Sequence, residues 1–367
     1  MLELGRQGTI AVFNILTLRS NVILISSEGI NTLHPSLDYA ELEFRADEFT
    51  RVIHFGLSDY TAKKARLTKI LEWLWDAALE LVLRELGFTE SPSHNQAWPR
   101  IWWIASGKLN ILPIHAAGYH DILPPGRTVI DRSILSYVPT IKSLIYAQER
   151  LESSANEYLQ KVLYIGMPMT PNEKDLPSAE TERDIIDRLL PDQVLRTILM
   201  NPSREAVLEV LVDHHIVHFA CHGYFSEEDP SKSYLCLNDG NLTIYDVAPI
   251  FARSSKFAFL SLCHSAGTRN FRLLEEGIHL ASAILISGFP SVVGTLWEIT
   301  DADTPQVVEG VYRYMASTTQ GIDCRKAAQA LHLSIRELRE DTRSAPGLSV
   351  RIPSDPLIWA SFVHVGC

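Results

Sequence analysis

From Leu159 onward the chain alternates short, fully apolar segments with helical ones, and this alternation constrains the fold more than any other feature. The helical segments carry apolar residues at three- and four-residue steps. The apolar segments predict strands without a polar face, at residues 161–167, 194–199, 215–221, 256–262 and 291–297. Strands of this kind, separated by helices, form a mostly parallel sheet that is covered on both faces. We therefore expect an α/β fold.

Other segments complete this pattern. A hairpin is expected at 233–244, and a closing strand at 357–365. The predicted helices cover residues 178–190, 203–212, 275–287, 304–317 and 324–340.

The first 155 residues show a different organisation. Two β-rich runs open the chain, and the apolar spacing predicts one long helix over 61–86. Residues 101–118 predict a hairpin that leads into a packed loop. The stretch 148–157 is polar and rich in Glu and Ser, so we place a boundary there. It separates an N-terminal α/β subdomain, 1–155, from a second subdomain, 156–367.

Composition excludes several classes of protein. The 367 residues are 46% hydrophobic and 21% charged, as in ordinary soluble globular proteins. The net charge of −11, without a long Lys/Arg run, argues against a nucleic-acid partner, because such proteins neutralise phosphates with basic residues. The N terminus lacks the apolar region of a signal peptide. The apolar stretch 280–290 is too short to span a bilayer, so we expect no membrane partner.

The five cysteines form an odd set without CxxC spacing. A disulfide framework is therefore not expected, and a reducing cytoplasm fits this pattern best. No GxGxxG or GxxxxGK[ST] motif is present, so nucleotide binding lacks its phosphate-binding loop. We expect no cofactor.

Two of the predicted strands end in the same dipeptide. One runs into Cys221-His222-Gly223, and the other runs into Cys263-His264. In open α/β sheets, ligand sites lie outside the carboxyl ends of the strands. Neighbouring strands are about 4.8 Å apart, so residues one step beyond two adjacent strands come close to hydrogen-bonding reach. His222 and Cys263 are expected in such positions.

A thiol and an imidazole in this arrangement suit nucleophilic catalysis. A free cysteine has a pKa of about 8.5, and a neighbouring imidazole takes up its proton or pairs with the thiolate. Gly223 allows a backbone N–H to approach a developing oxyanion, and the N–H of Cys263 is a second donor. Free cysteines are, however, among the most buried residue types, so the residues alone also allow Cys263 a packing role.

The other residues near these strands favour structural roles. Cys221 alternates away from His222 and is interpreted as a core residue. A zinc site that uses both Cys-His pairs would split its ligands between two faces of the sheet, so no metal is predicted. His214, His215 and His218 are interpreted as core or strand-edge histidines.

At these residues the sequence resembles the CHAT domain, a caspase-like module of the caspase and separase clan of cysteine peptidases, in particular its fungal branch. The two Cys-His strands carry the strongest similarity. Further matching blocks lie at 112–118, 136–140, 176–182, 276–282, 288–297 and 359–366. Together they cover most of the chain. The resemblance implies a caspase-like three-layer αβα sandwich with a mostly parallel sheet, preceded by the N-terminal α/β subdomain.

The resemblance also implies an activity and its residues. His222 corresponds to the base and Cys263 to the nucleophile of a cysteine endopeptidase, with Gly223 and Cys263 in the oxyanion hole. Residues 296–303 are similar to a separase block in which an acidic residue recognises a basic P1 side chain, so Asp301 or Asp303 is expected to bind substrate. Capping of the helix that follows is the structural alternative for both aspartates.

The chain departs from the family pattern at two points. Leu262 precedes the nucleophile where Ala is common, and this sequence contains no tetratricopeptide array before the domain. Either the chain is a fragment of a longer protein, or it lacks the usual sensor. The expected partners are a protein or peptide substrate and a tetratricopeptide-repeat region or other sensor. Residues 156–367 are the expected catalytic subdomain, and one hypothesis makes 1–155 an inactive caspase-like half. A catalytically silent scaffold in signalling is the alternative to a peptidase acting in signalling, defence or cell death.

Overall fold

The structure is a computed structural model. It describes residues 4–54, 59–93, 96–121, 126–153, 160–224, 226, 229–251, 255–264, 280–297, 303–316, 321–341 and 355–367. Among the described residues, no helix is both long and apolar enough to cross a bilayer.

Strands and helices alternate along the chain. The strands are β1 Thr9–Asn14, β2 Asn21–Ile25, β3 Ile30–Leu33, β4 Arg100–Ile104, β5 Ile134–Tyr137, β6 Lys161–Gly166, β7 Leu195–Met200, β8 Ile216–Tyr224, β9 Tyr234–Cys236, β10 Asn241–Thr243, β11 Phe257–His264, β12 Ser291–Thr295 and β13 Phe362–Gly366. The α-helices are α1 Tyr39–His54, α2 Tyr60–Leu74, α3 Glu80–Glu85, α4 Ile141–Ser153, α5 Ser178–Leu189, α6 Arg204–Leu211, α7 Ile244–Phe251, α8 Leu280–Ser287, α9 Thr304–Met315, α10 Ala327–Asp341 and α11 Pro356–Trp359.

The chain divides into two compact units. The first unit consists mainly of Met1–Tyr137 and Ile335–Ser361, and the second mainly of Val138–Leu273, Ile278–Ser334 and Phe362–Cys367. This division differs from the subdomains 1–155 and 156–367 expected from the sequence. A late segment belongs to the first unit through tertiary contacts that leave no local signal in the sequence.

The sheet of the second unit is mostly parallel, as predicted. Its strands lie in the order β7-β6-β8-β11-β12-β13, and the first five run in the same direction. Strand β13 closes the unit by pairing antiparallel with β12. The predicted hairpin is β9–β10, and β9 pairs antiparallel with the end of β8.

Helices cover both faces of this sheet. On one face His218 of β8 contacts Glu182 of α5 and Tyr312 of α9. Gly223 lies five residues after His218 on β8. Because successive residues of a strand point to opposite faces, it faces the opposite side. A Cβ on Gly223 would meet Leu280 of α8 there. The expected three-layer αβα sandwich is therefore confirmed.

Strands β8 and β11 run past their predicted ends. Strand β8 continues to Tyr224 and β11 to His264. The expectation that His222 and Cys263 lie just beyond strand ends is therefore wrong, because both lie within paired strands. The physical reason is the neighbouring hairpin, since β9 supplies backbone partners to the last residues of β8.

The first unit has a mixed sheet of its own. Strands β5, β4 and β1 are parallel, and β1, β2 and β3 form an antiparallel meander. The predicted long helix is continuous as α2, a π-turn at Trp75–Leu79, and α3. The predicted hairpin after β4 is wrong. Residues Gly107–Ile111 and Ile114–Ala116 form 3₁₀ turns instead, where Gly107 has a φ of 57° and Pro113 lacks an N–H for a ladder.

The C-terminal element differs from its prediction. The predicted closing strand at 357–365 begins instead as helix α11, and only β13 is extended. Asp355 caps α11 by accepting a hydrogen bond from the Leu357 N–H at 3.0 Å, and Pro356 occupies its first turn. Proline suits this position because its missing N–H is not needed there.

A buried ion pair fixes the late segment within the first unit. Arg339 of α10 is 1% exposed and Asp131 is 3% exposed, and the two side chains form a hydrogen-bonded ion pair. Burial raises the pKa of Asp131, but the guanidinium and the Thr128 hydroxyl outweigh burial and hold this pKa at about 2. The stabilisation is therefore complete above the ordinary pKa of 3.8 and is lost as the pH falls through about 2.

Replacing Arg339 with Leu leaves the Asp131 carboxylate buried without its cation. We expect the free energy of unfolding to fall by about 3–5 kcal/mol, measured by urea unfolding with tryptophan fluorescence. The control Arg325→Leu removes an ion pair to Asp323 in which Arg325 is 69% exposed, and should cost less than about 1 kcal/mol. Equal losses in the two variants would contradict a structural role for the buried pair.

Candidate active site

The ladder between β8 and β11 brings the two predicted catalytic residues together. Cys263 and His222 are Cα partners, within a continuous register that runs from Phe257 with Ile216 to the strand ends. Adjacent strands lie about 4.8 Å apart, so the backbones of His222 and Cys263 are direct neighbours. The side chains of Cys263 and His264 lie outside the described part of the structure.

The His222 ring is held in one orientation. The residue is 3% exposed, and Nε2 lies 2.7 Å from the carbonyl oxygen of Lys174. A carbonyl oxygen only accepts hydrogen bonds, so Nε2 carries a proton. In the neutral ring Nδ1 is then the unprotonated nitrogen. Nδ1 is buried and has no hydrogen-bond partner within the part of the chain that the structure describes. Nδ1 of the neutral ring therefore carries a lone pair that can accept a proton.

The Lys174 carbonyl belongs to a loop that we call the orienting loop, residues 167–177. It starts at the end of β6, where the Met167 N–H donates to the Ala220 oxygen of β8 at 2.8 Å. It closes on itself through the Leu176 N–H, which donates to the Pro168 oxygen at 2.8 Å. The first of these bonds connects the loop to the strand that carries His222, and the second closes the loop.

A buried polar cluster lies on the same face of the sheet. Glu182 accepts one hydrogen bond at 2.8 Å from Nε2 of His218 and another at 2.8 Å from the Ser261 hydroxyl. Tyr312 lies 3.2 Å from Nδ1 of His218. Burial raises the pKa of Tyr312 well above its ordinary value, so its hydroxyl stays protonated. His218 is thus a core histidine with partners on both nitrogens, as the sequence predicts.

The remaining predicted site residues have different outcomes. Asp301 lies outside the described residues. Asp303 is the N-cap residue of α9, but its side chain makes no capping hydrogen bond, so the capping alternative does not describe it. Gly223 lies between Leu235 of β9 and His264 of β11 in the ladder.

The described cysteines are free thiols in buried positions. Cys221 is 0% exposed, which confirms its core interpretation. Burial raises the pKa of Cys236 to about 11 and that of Cys324 to about 12. These thiols are therefore protonated at neutral pH. No group of three or more His, Cys, Asp and Glu side chains suited to a metal occurs among the described residues.

Sequence reasoning missed four residues around the site. The Lys174 carbonyl is a main-chain group, so no side-chain motif identifies it. Glu173 and Tyr224, whose side chains hydrogen-bond to each other, lie far apart in the chain. Glu182 belongs to the block 176–182, but only the fold shows that it pairs with a histidine on β8.

Comparison with solved structures identifies similar folds. The separase of Saccharomyces cerevisiae, solved in complex with securin, superposes with a TM-score of 0.64 at 10% identity, over 100% of this chain and 30% of the separase chain. This chain thus spans about 30% of that protein. At this identity the likeness shows a shared fold.

Two further structures show weaker similarity. Gingipain R of Porphyromonas gingivalis, described as an Arg-specific cysteine proteinase, gives a TM-score of 0.49 at 10% identity, over 89% of this chain and 74% of its own. Caspase-1 from Spodoptera frugiperda gives 0.36 at 12% identity, over 57% and 89%. No curated protein matches the sequence.

A family comparison covers most of the chain. The model of the CHAT domain matches residues 68–367, which include the whole β8–β11 ladder and the orienting loop. This extent confirms the resemblance that the Cys-His strands and the ordered blocks carry. The chain belongs to the CHAT domain family.

Proposed function

We propose that this protein is a cysteine endopeptidase in which His222 and Cys263 form a catalytic dyad. The observation that carries the proposal is the His222 ring, with Nε2 hydrogen-bonded to the Lys174 carbonyl and Nδ1 buried without a described partner. Such a ring is prepared to accept a proton. The residue next to it in the adjacent strand is Cys263.

The reaction follows the chemistry of a thiolate nucleophile. The Cys263 thiol passes its proton to Nδ1 of His222, and the sulfur attacks the carbonyl carbon of a peptide bond. The tetrahedral intermediate then collapses, the C–N bond breaks, and the imidazolium gives its proton to the leaving amine. Water attacks the carbonyl carbon of the resulting thioester while His222 takes up its proton. The C–S bond then breaks to release the carboxylic acid, and the sulfur takes the proton back from the imidazolium.

The oxyanion hole in this proposal is formed by backbone N–H groups of Gly223 and Cys263. Preorganised donors of this type stabilise the charge that develops on the carbonyl oxygen. A donor must be left unpaired by the sheet in order to serve. Gly223 and Cys263 belong to the last two registered pairs of the ladder between β8 and β11, where the pairing of these strands ends.

The proposed substrate is a protein or peptide with a basic P1 residue. Asp301 and Asp303 are the proposed recognition residues, because a carboxylate forms charge-assisted bonds with Arg or Lys. The Asp303 side chain makes no capping bond to α9, which supports a role other than capping.

The proposed setting is the cytoplasm, in signalling, defence or cell death. Free thiols at the described cysteines support a reducing compartment. A tetratricopeptide-repeat region or another sensor is the proposed regulatory partner. The separase match, solved with securin, supports the idea that folds of this kind work with protein partners.

Replacing Cys263 with Ala should abolish cleavage of casein while the fold is retained, because the nucleophile is lost. His222→Asn should lower the rate by about 10²–10⁴-fold, which is the usual contribution of a general base. The matched control is Cys324→Ala, which removes a buried thiol outside the proposed dyad and should leave cleavage unchanged. Undiminished cleavage by the Cys263 variant would rule out the proposed dyad.

Iodoacetamide labelling distinguishes a peptidase from a silent scaffold. Cys263 should react rapidly at pH 7, and more slowly after His222→Ala. Labelling of Cys236 should rise about tenfold per pH unit between pH 7 and 9, because its pKa of about 11 leaves it protonated in this range. Mass spectrometry of the peptides measures both rates. Slow, equal labelling of all cysteines would favour the scaffold.

A peptide library tests the specificity. We expect cleavage after Arg or Lys, with a rate that falls at least tenfold in Asp303→Asn or Asp301→Asn because a charge-assisted bond is weakened. Cleavage after acidic or apolar residues would contradict the proposed recognition.

A further inference from the structure

The orienting loop is tied to the end of β8 by one short side-chain contact. The Tyr224 hydroxyl donates to Oε1 of Glu173 at 2.5 Å. Glu173 immediately precedes Lys174, whose carbonyl oxygen accepts the hydrogen bond from His222. Tyr224 in turn lies two residues after His222 on the same strand. The contacts therefore run from His222 to the Lys174 carbonyl and from Glu173 to Tyr224, which lies on the same strand as His222.

The backbone of the orienting loop is irregular around Glu173. Pro168 and Pro171 lack backbone N–H groups, so the loop cannot form a regular ladder. Asn172, just before Glu173, adopts a left-handed conformation with φ of 65°, which non-glycine residues rarely do. The Glu173 N–H donates to the Thr170 oxygen at 3.1 Å, which forms a tight turn. The Lys174 carbonyl thus sits directly after this turn, and the Glu173 side chain at its end makes the contact with Tyr224.

The tyrosine side of the contact is rigid. Tyr224 pairs with Tyr234 across the ladder between β8 and β9, and the two rings stack with centroids 5.1 Å apart. A stacked ring on a paired strand has little freedom to move its hydroxyl. Glu173, by contrast, sits on a loop. The strand pair therefore positions the loop, and the loop positions the histidine.

We propose that Glu173 and Tyr224 are positioning residues that hold the Lys174 carbonyl against Nε2 of His222 and so fix the tautomer in which Nδ1 is the base. This inference rests on the proposed peptidase activity. Without the contact, the carbonyl moves away, the ring loses its orientation, and either nitrogen can carry the proton. A displacement of about 1 Å in a catalytic group can lower a rate by about 10²-fold.

The variant Tyr224→Phe removes only the hydroxyl and retains the stacked ring. We expect kcat on casein-derived peptides to fall about 10- to 100-fold with KM unchanged, because the substrate is still bound. Glu173→Ala should have the same effect, while Glu173→Gln retains an acceptor and should recover much of the rate. The double variant Tyr224→Phe with Glu173→Ala should be no worse than either single change.

A second measurement separates positioning from a general loss of structure. The Lys174 carbonyl stabilises the protonated imidazolium, so its displacement should shift the pH profile of Cys263 alkylation by iodoacetamide to higher pH. A loosened fold would instead speed the labelling of buried Cys221. The control Tyr234→Phe removes a hydroxyl from the stacked partner but leaves the bond between Tyr224 and Glu173 in place, and should behave as wild type.

The outcomes also separate this inference from the proposed function. If Cys263→Ala is inactive while Tyr224→Phe and Glu173→Ala keep the wild-type kcat and alkylation profile, the positioning role is wrong and the dyad stands. If Cys263→Ala remains active, the dyad itself is wrong. Faster labelling of Cys221 in Tyr224→Phe, without a shifted profile at Cys263, would also overturn the positioning role.

Discussion

The parallel ladder between β8 and β11 is the interaction on which the site depends. In its register Cys263 is the backbone partner of His222, so paired strands rather than loops place both residues. A slip of one residue would turn the side chains of one strand to the other face of the sheet. The register is protected because both strands are largely buried, with apolar side chains that pack against helices on both faces. The packing of the core and the placement of the proposed dyad therefore depend on the same strand register.

Buried polar groups link this ladder to the helices above it. Glu182 of α5 binds His218 of β8 and Ser261 of β11, so one carboxylate bridges both strands of the ladder. Each of these groups has a hydrogen-bond partner, which offsets the cost of removing them from water. Helix α5 follows the orienting loop directly. The loop that presents the Lys174 carbonyl is therefore anchored by β6 at one end and by this cluster at the other.

Much of the architecture can be predicted from local sequence patterns. The apolar strands and helices after Leu159 are found close to their expected positions, because burial on both faces removes polar residues from a strand. The predicted limits of β8 and β11 fall too early, since His222 and Gly223 on one strand and His264 on the other interrupt the apolar runs. Pairing with β9 extends the strand, and such pairing is a property of the tertiary fold. Helix α11, before β13, is not predicted for a similar reason. The apolar run 357–365 resembles a strand, although Asp355 caps a helix at its start.

The sequence also identifies the two residues of the proposed dyad, but it cannot identify what orients them. The acceptor for His222 is a main-chain oxygen, and the contact between Glu173 and Tyr224 joins residues 51 positions apart. The most direct test of the dyad is covalent capture by a peptidyl chloromethyl ketone that ends in Arg. We predict a single adduct on the sulfur of Cys263 in the wild-type protein, located by mass spectrometry, and its loss in His222→Ala. An adduct on another residue, or equal modification of Cys263 in both proteins, would contradict the account.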